Sequence, residues 1–333
     1  MSGTVVTTRR RLGKAGPEVL GIGLGCMSLS GVYGPSDDEA GIRLIHRAIE
    51  LGVDHFDSSD MYGWGQNEEL LGRALKGRRN GIVIATKFGQ TRRSGGANGV
   101  DGRPEYVAQA CEASLKRLGV DVIDLYYQHR VDPAVSVEET VGAMARLVEQ
   151  GRVRFLGLCE ARPGRIRSAH AVHPIAAVQS EFSLLYREEA TETRELTRDL
   201  GIAFVAYAPL GRSLLTGDTP DFANLAPGDT RGRHPRFTPE NFAKNRELVQ
   251  RIEAIADEKG CAPAQLVLAW LLAQGPDVIP IPGTKRIDRL EENLGALRLD
   301  LTPADVDRIS ALIPIGAAAG TRYPEGGMRG VYI

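Results

Sequence analysis

The sequence predicts an α/β fold of the (βα)8 TIM-barrel class, and three observations predict it. Eight short apolar runs alternate with amphipathic segments of roughly a dozen residues, joined by short Gly- or Asp-containing turns. Nearly all the runs are apolar throughout, as parallel strands buried on both faces are. The repeat reaches its eighth member without a break in composition, which ranks an open doubly wound sheet behind the barrel.

The elements follow in order. Thr7 to Gly21 reads as an N-terminal β-hairpin turning through Gly13-Lys14-Ala15-Gly16-Pro17. The strand candidates are Ile22 to Met27, Val53 to Phe56, Ile82 to Ala85, Val122 to Tyr127, Val153 to Leu158, Ile175 to Val178, Ile202 to Ala206 and Val278 to Ile281. Helical spacing marks Ala40 to Leu51, where Ile42, Leu44, Ile45, Ala48 and Ile49 form one stripe, and also Val107 to Leu118. It marks Val137 to Val148 too, where Ser136 is the N-cap with Glu139 three residues on. Arg286 to Leu297 supplies the eighth helix. The chain, residues 1–333, is expected to form a single domain.

Gly21-Ile22-Gly23-Leu24-Gly25 invites comparison with a dinucleotide-binding glycine loop, but the last glycine is wrongly spaced and no helix opens there. Close backbone packing at a strand end is the simpler reading. Three long irregular stretches, Phe88 to Pro104, Gly211 to Thr238 and Ile315 to Ile333, leave from the catalytic end of such a barrel. They read as lids or as disordered segments, with lids favoured.

Composition narrows the function classes. Hydrophobic residues make up 42% and charged residues 25%, as in a soluble globular protein. A formal charge of −1 gives no reason to expect nucleic acid or an anionic membrane as partner. No apolar run reaches the roughly 18 residues of a membrane span. Arg9-Arg10-Arg11 is not followed by an apolar stretch, so no signal peptide is expected. Cys26, Cys111, Cys159 and Cys261 are widely spaced without metal-ligand patterns, which fits a reducing cytoplasmic location and no metal.

The chemistry lies where the runs stop. The second ends at Asp57, in Asp57-Ser58-Ser59-Asp60-Met61-Tyr62-Gly63, followed by Trp64 and a helix through Glu68 to Leu75. The third ends at Lys87, the fourth at Gln128-His129-Arg130, the fifth at Cys159-Glu160, the sixth at Gln179 and the seventh at Tyr207-Ala208-Pro209-Leu210-Gly211. Each alone has a plain explanation as a turn or rim residue. An acid, a phenol, an ammonium and an imidazole on three adjacent strand ends do not.

Those four together suit proton donation by a phenol. A neighbouring ammonium favours the phenolate, a carboxylate holds that ammonium in place, and an imidazole orients a carbonyl oxygen. Tyr62, Lys87, Asp57 and His129 are the candidates, and hydride from a nicotinamide is the nucleophile the set implies. Tyr207 then offers a stacking face, and Gln179, Cys159 and Glu160 a carboxamide contact. Trp64 either walls a substrate cavity or covers the rim. Pro282-Gly283-Thr284-Lys285-Arg286 leads into a helix carrying Arg289, an anion site suited to the 2′-phosphate of NADPH.

The pattern resembles the aldo-keto reductase superfamily over essentially the whole chain. The resemblance implies NADPH-dependent reduction of a small-molecule carbonyl substrate in a barrel without a Rossmann domain. The family's Asp, its Tyr five residues later in an Asp-x-x-x-x-Tyr-Gly turn, its strand-three Lys and its strand-four His match Asp57, Tyr62, Lys87 and His129. Its carboxamide-binding Gln matches Gln179, its stacking Tyr matches Tyr207, and its adenosine-phosphate helix matches Arg289, Glu292 and Asn293. The cofactor contacts this implies also take in Met27, Pro209, Leu210, Gly211, Arg212, Gly283, Thr284 and Lys285. Pro-Gly-Thr-Lys and Arg322-Tyr323-Pro324 look like the bacterial, yeast and plant branch.

Two departures stand out: Cys159-Glu160 where the family commonly has Ser-Asn, and Gly283 where many relatives carry Lys. Two rival readings carry different expectations. A Schiff-base aldolase needs Lys87 neutral, which Asp57 opposes. An NADPH-binding regulatory or sensor subunit binds cofactor with little turnover.

Overall fold

The computed structural model describes residues 8–92, 98–218, 221, 224–328 and 330–333. The strands form where the apolar runs are: Leu24–Gly25, His55–Asp57, Val83–Phe88, Ile123–Gln128, Val153–Cys159, Ile175–Glu181, Ala203–Tyr207 and Val278–Pro280. Every neighbouring pair in this eight-stranded sheet is parallel. The ring closes between first and last: Gly23 N–H donates to the Pro280 carbonyl at 3.0 Å and Gly25 N–H to that of Pro282 at 3.2 Å. That seam decides for a barrel over an open sheet.

Side chains from the strands fill two layers. Val83, Ala85, Leu125, Tyr127, Cys159, Ala177, Ala203, Val205 and Ile279 pack inside the ring. Phe56, Ile84, Tyr126, Leu156, Val178 and Phe204 pack outward against the helices. Both faces being dry is why the strand sequences read as continuous apolar runs. The hairpin pairs Arg9–Arg11 with Glu18–Leu20 and inserts Leu12 and Val19 beneath the strand starts, sealing the end opposite the strand termini.

Helices follow the strands where periodicity places them: Asp38–Glu50, Gln66–Leu75, Pro104–Leu118, Val137–Glu149, Pro163–Val172 and Glu188–Leu200. The expected capping box forms at the fourth, where the Ser136 hydroxyl accepts from the Glu139 N–H at 3.2 Å. Two helices, Pro239–Glu258 and Pro263–Leu272, lie between the seventh and eighth strands. Ile287–Gly295 and Pro303–Leu312 close the chain's helical part. No described helix is long and apolar enough to cross a membrane.

The structure departs from expectation at the first strand, which stops at Gly25 because Met27–Ser30 coils into a 3-10 turn. The first long loop carries a small hairpin, Gln90–Arg92 with Asn98–Val100, while its residues 93–97 lie outside the described set. The second, of which 219, 220, 222 and 223 are likewise outside, folds into short turns at Gly211–Ser213, Thr230–Arg233 and Pro235–Phe237. In the third, residue 329 is outside and Arg322 is buried.

The seam leaves no room for side chains. A Cβ on Gly25 would lie 2.7 Å from the Ile281 carbonyl oxygen, whereas one on Gly142, in the fourth helix, would meet nothing within 4 Å. Thermal denaturation should therefore show Gly25→Ala less stable by about 1–3 kcal/mol. Gly142→Ala should be neutral or stabilising by up to about 1 kcal/mol.

Candidate active site

The second strand delivers Asp57 to the barrel mouth, and the turn after it is pinned to the third strand. Ser58 N–H donates to the Ala85 carbonyl at 2.8 Å and Asp60 N–H to that of Lys87 at 3.2 Å. The Ser58 hydroxyl donates to Asn67 Oδ1 at 2.7 Å, and Asn67 in turn donates to the Cys26 carbonyl. Tyr62 opens a 3-10 turn in which both Gly63 and Trp64 have left-handed φ. That turn swings the phenol back over the strand ends.

Lys87 has no solvent contact, so its ammonium must find all its acceptors in the protein. It donates to Asp57 Oδ1, to the Ser58 carbonyl at 2.7 Å and to the Tyr62 hydroxyl at 3.4 Å. The other Asp57 oxygen accepts from Gln179 Nε2 at 2.7 Å. His129 follows the fourth strand, anchored by its N–H to the Phe88 carbonyl at 2.8 Å, with its ring edge-on to that of Tyr62 at 6.0 Å. The four residues expected to converge do so, on three adjacent strands.

The electrostatics follow from burial. Loss of water works against the Lys87 ammonium, but Asp57, Tyr62 and Cys159 outweigh it and hold its pKa above the ordinary value. Burial pushes the Tyr62 phenol upward; Lys87 pulls it down, as the sequence predicts, without cancelling the burial. Burial, with the charges of Arg130 and Lys87, drives His129 well below its usual range, so its ring is neutral.

The remaining expected residues divide. Tyr207 ends the seventh strand with its hydroxyl 3.0 Å from that of Tyr323. Cys159 faces the barrel interior, its thiol pushed up to about 12 by burial against the pull of Lys87. Glu160, expected beside it, has a left-handed φ; its Oε1 accepts from the Glu181 N–H at 3.0 Å and from Arg322 at 2.8 Å, while its buried Oε2 has no partner among the described residues. Arg212, after the Pro209-Leu210-Gly211 turn, pairs with Glu181 at 3.1 Å and lies 5.0 Å over the Tyr323 ring. Trp64 sits at the rim, 37% exposed, beneath the Arg92 guanidinium.

The anion end is partly as expected. Arg289 donates to Asp218 Oδ2 at 2.6 Å and to Glu292 at 2.6 Å, and Arg286 lies 3.7 Å from the same Asp218 oxygen. Asn293 is buried on that helix. Thr284 accepts from the Arg286 N–H at 3.1 Å, and its carbonyl accepts from Ser28, next to Met27. Lys285 does not join the other cations; it donates to the carbonyls of Tyr33, Gly34 and Pro35. Gly283 has a steric reason: a Cβ there would lie 2.8 Å from the Gly25 carbonyl oxygen.

The sequence assigns no role to Ser59 or Glu181, and marks Arg322 only as part of a motif. Ser59 is fully buried with its hydroxyl 3.0 Å from His129 Nδ1. Glu181 takes two arginines, Arg212 and Arg236. Only the position of Glu181 just past Gln179, on a strand buried along its whole length, hints at such a role.

A buried lysine–aspartate pair beside a phenol and a neutral imidazole, at the strand ends of a (βα)8 barrel, defines a class of oxidoreductase. The chain belongs to the Aldo/keto reductase family, whose sequence profile matches residues 21–314. It is 48% identical over 318 residues to a probable aldo-keto reductase 1 of Glycine max, covering 95% of this chain and 92% of the relative. It is 46% identical to the NADP(+) aldo-keto reductase yakc of Schizosaccharomyces pombe, with 92% of each chain covered. Among solved structures it resembles a glycerol dehydrogenase of Gluconobacter oxydans, with a TM-score of 0.83 at 26% identity, covering 92% of this chain and 95% of that one. It also resembles the holo form of an aldo-keto reductase from Bacillus halodurans, with a TM-score of 0.76 at 28% identity, covering 94% and 97%.

Removing the charge of Asp57 strands an ammonium in a dry interior. Asp57→Asn should lower unfolding free energy in urea titrations by about 3–5 kcal/mol, and adding Lys87→Met should recover part of the loss.

Proposed function

We propose that this protein is an NADP(H)-dependent reductase of aldehydes or ketones, with Tyr62 as the proton donor. The observation that carries the reading is the Lys87 ammonium, buried and shared between Asp57 and the Tyr62 hydroxyl. When bound, a reduced nicotinamide supplies the hydride that attacks the carbonyl carbon.

The residues present fit that cofactor. Arg286 and Arg289 already converge on one carboxylate, Asp218, so the turn after the eighth strand holds an anion where a 2′-phosphate would be held. Tyr207 offers a ring face at the mouth, half-buried and tethered by Tyr323. Gln179 reaches the same centre through Asp57.

Within this reading Tyr62 gives its proton to the carbonyl oxygen, and the phenolate left behind faces the Lys87 ammonium at hydrogen-bond distance. Asp57 keeps Lys87 charged and oriented. His129, neutral at working pH, holds the carbonyl oxygen beside the phenol through the ring nitrogen that Ser59 does not engage. A Schiff-base role for Lys87 is disfavoured, because its environment holds the amine as ammonium. Buried Cys26, Cys111 and Cys159, all free thiols, suit a reducing cytoplasmic setting.

Tyr62→Phe should lower NADPH-dependent turnover of aldehydes at least about 10²-fold while leaving NADPH binding, read by fluorescence titration, unchanged. Parent-level turnover in that variant would remove Tyr62 from the mechanism. NADPH binding with no turnover by the parent across aldehydes, ketones and dicarbonyls would favour the sensor reading instead. Arg289→Leu should weaken NADPH about 10–100-fold and leave NADH nearly unaffected, as read by the same titration.

A further inference from the structure

We propose that Ser59 determines which ring nitrogen of His129 carries the proton, and that Asp60 competes with His129 for the single Ser59 hydroxyl proton. The inference rests on the reading of His129 as the group that orients the carbonyl.

Ser59 is completely buried, and its oxygen has three neighbours. It accepts from the Met61 N–H at 3.3 Å, lies 3.0 Å from His129 Nδ1, and lies 3.3 Å from Asp60 Oδ1. The hydroxyl has one proton to give and two acceptors in reach. If it points to Nδ1, that nitrogen accepts and the ring proton sits on Nε2. His129 then offers a donor to a carbonyl oxygen. If the hydroxyl points to Asp60, Nδ1 must be the donor toward Ser59, and Nε2 presents a lone pair. A lone pair facing a carbonyl oxygen repels it. The two arrangements are therefore productive and unproductive forms of one neutral ring.

The charge on Asp60 chooses between them, because an ionised carboxylate is the stronger acceptor. Asp60 is held up to about 7, mainly by burial and then by Glu68 on the following helix. Ser59, Arg117 from the third helix and the Met61 N–H pull the other way. Tyr106 and Tyr126 face it from the third helix and the fourth strand. His129 itself faces Arg130 and Lys87 and stays neutral on both sides of that transition. A protonated Asp60 leaves the serine proton to His129, so the productive tautomer predominates below about 7 and gives way above it. Ser59 and Asp60 are positioning residues, acting on the carbonyl only through the ring.

Long-range ring 15N spectra of the full-length protein labelled at histidine, with His129 assigned from a His129→Gln variant, read the tautomer without any turnover. The parent should shift from Nε2–H toward Nδ1–H as pH rises through about 7. Asp60→Asn should stay Nε2–H throughout, and Ser59→Ala should lose the pH-dependent change. In steady-state kinetics Asp60→Asn should abolish the fall in kcat on the alkaline side. Ser59→Ala should lower kcat about tenfold, with KM for NADPH unchanged and partial rescue by Ser59→Thr. A His129 tautomer that ignores pH in the parent and is unaltered in Ser59→Ala would overturn the proposal. If the spectra behave as stated but carbonyls are not reduced, the tautomer control stands and the catalytic reading of His129 falls.

Discussion

An ammonium sealed from water must have its charge answered inside the protein, and in this molecule Lys87 is that group. Desolvation of such an ion costs several kcal/mol, offset only by near-ideal partners. The barrel supplies them because the second and third strands pair in parallel with Asp57 opposite Ala85, which brings Lys87, two residues further on, above the Asp57 carboxylate. The Ser58 carbonyl takes a second ammonium proton and Gln179 from the sixth strand steadies the second Asp57 oxygen. Tyr62 receives the remaining contact, so the position of the phenol follows from satisfying the lysine.

A second set of buried charges binds the long loops to the strand ends. Glu181 pairs with Arg212 and Arg236, both from the stretch after the seventh strand. Glu160 and Glu189 pair with Arg322 from the C-terminal stretch, whose guanidinium also lies 4.2 Å over the Tyr186 ring. The pairs of Glu181 and Glu160, dry on both sides, are strongly oriented and little screened by salt. They give two otherwise irregular segments fixed footholds beside Cys159 and Tyr207.

Much of this was legible in the sequence, for reasons the structure makes plain. Strands buried on both faces announce themselves as apolar runs, and one of the first two residues past each run reaches the mouth, so Asp57, Lys87 and His129 are legible as candidates. Tyr62 was readable because five residues span the turn. What escaped depends on direction. Adjacent residues such as Cys159 and Glu160 leave a strand on opposite faces. Lys285 reads as a free cation because composition does not reveal that carbonyls 33–35 lie within its reach. Ser59 looks like any turn serine until the fourth strand brings His129 against it. The glycines Gly25 and Gly283 were visible, but their reason, mutual crowding at the seam, is a contact between the two ends of the barrel.

That seam also has a temporal meaning. The Asp57–Lys87 pair joins neighbouring strands, so its contacts lie close together along the chain and can form while synthesis is still under way. The junction of Gly23 and Gly25 with Pro280 and Pro282 joins segments from opposite ends of the polypeptide, and such distant contacts form slowly. Until the eighth strand emerges, the first has an unpaired edge, and the turn holding Thr284, Arg286 and Arg289 has nowhere to dock. The cluster around Lys87 can thus be assembled before the turn carrying Arg286 and Arg289 exists, leaving nascent chains with an open rim until the last strand closes it.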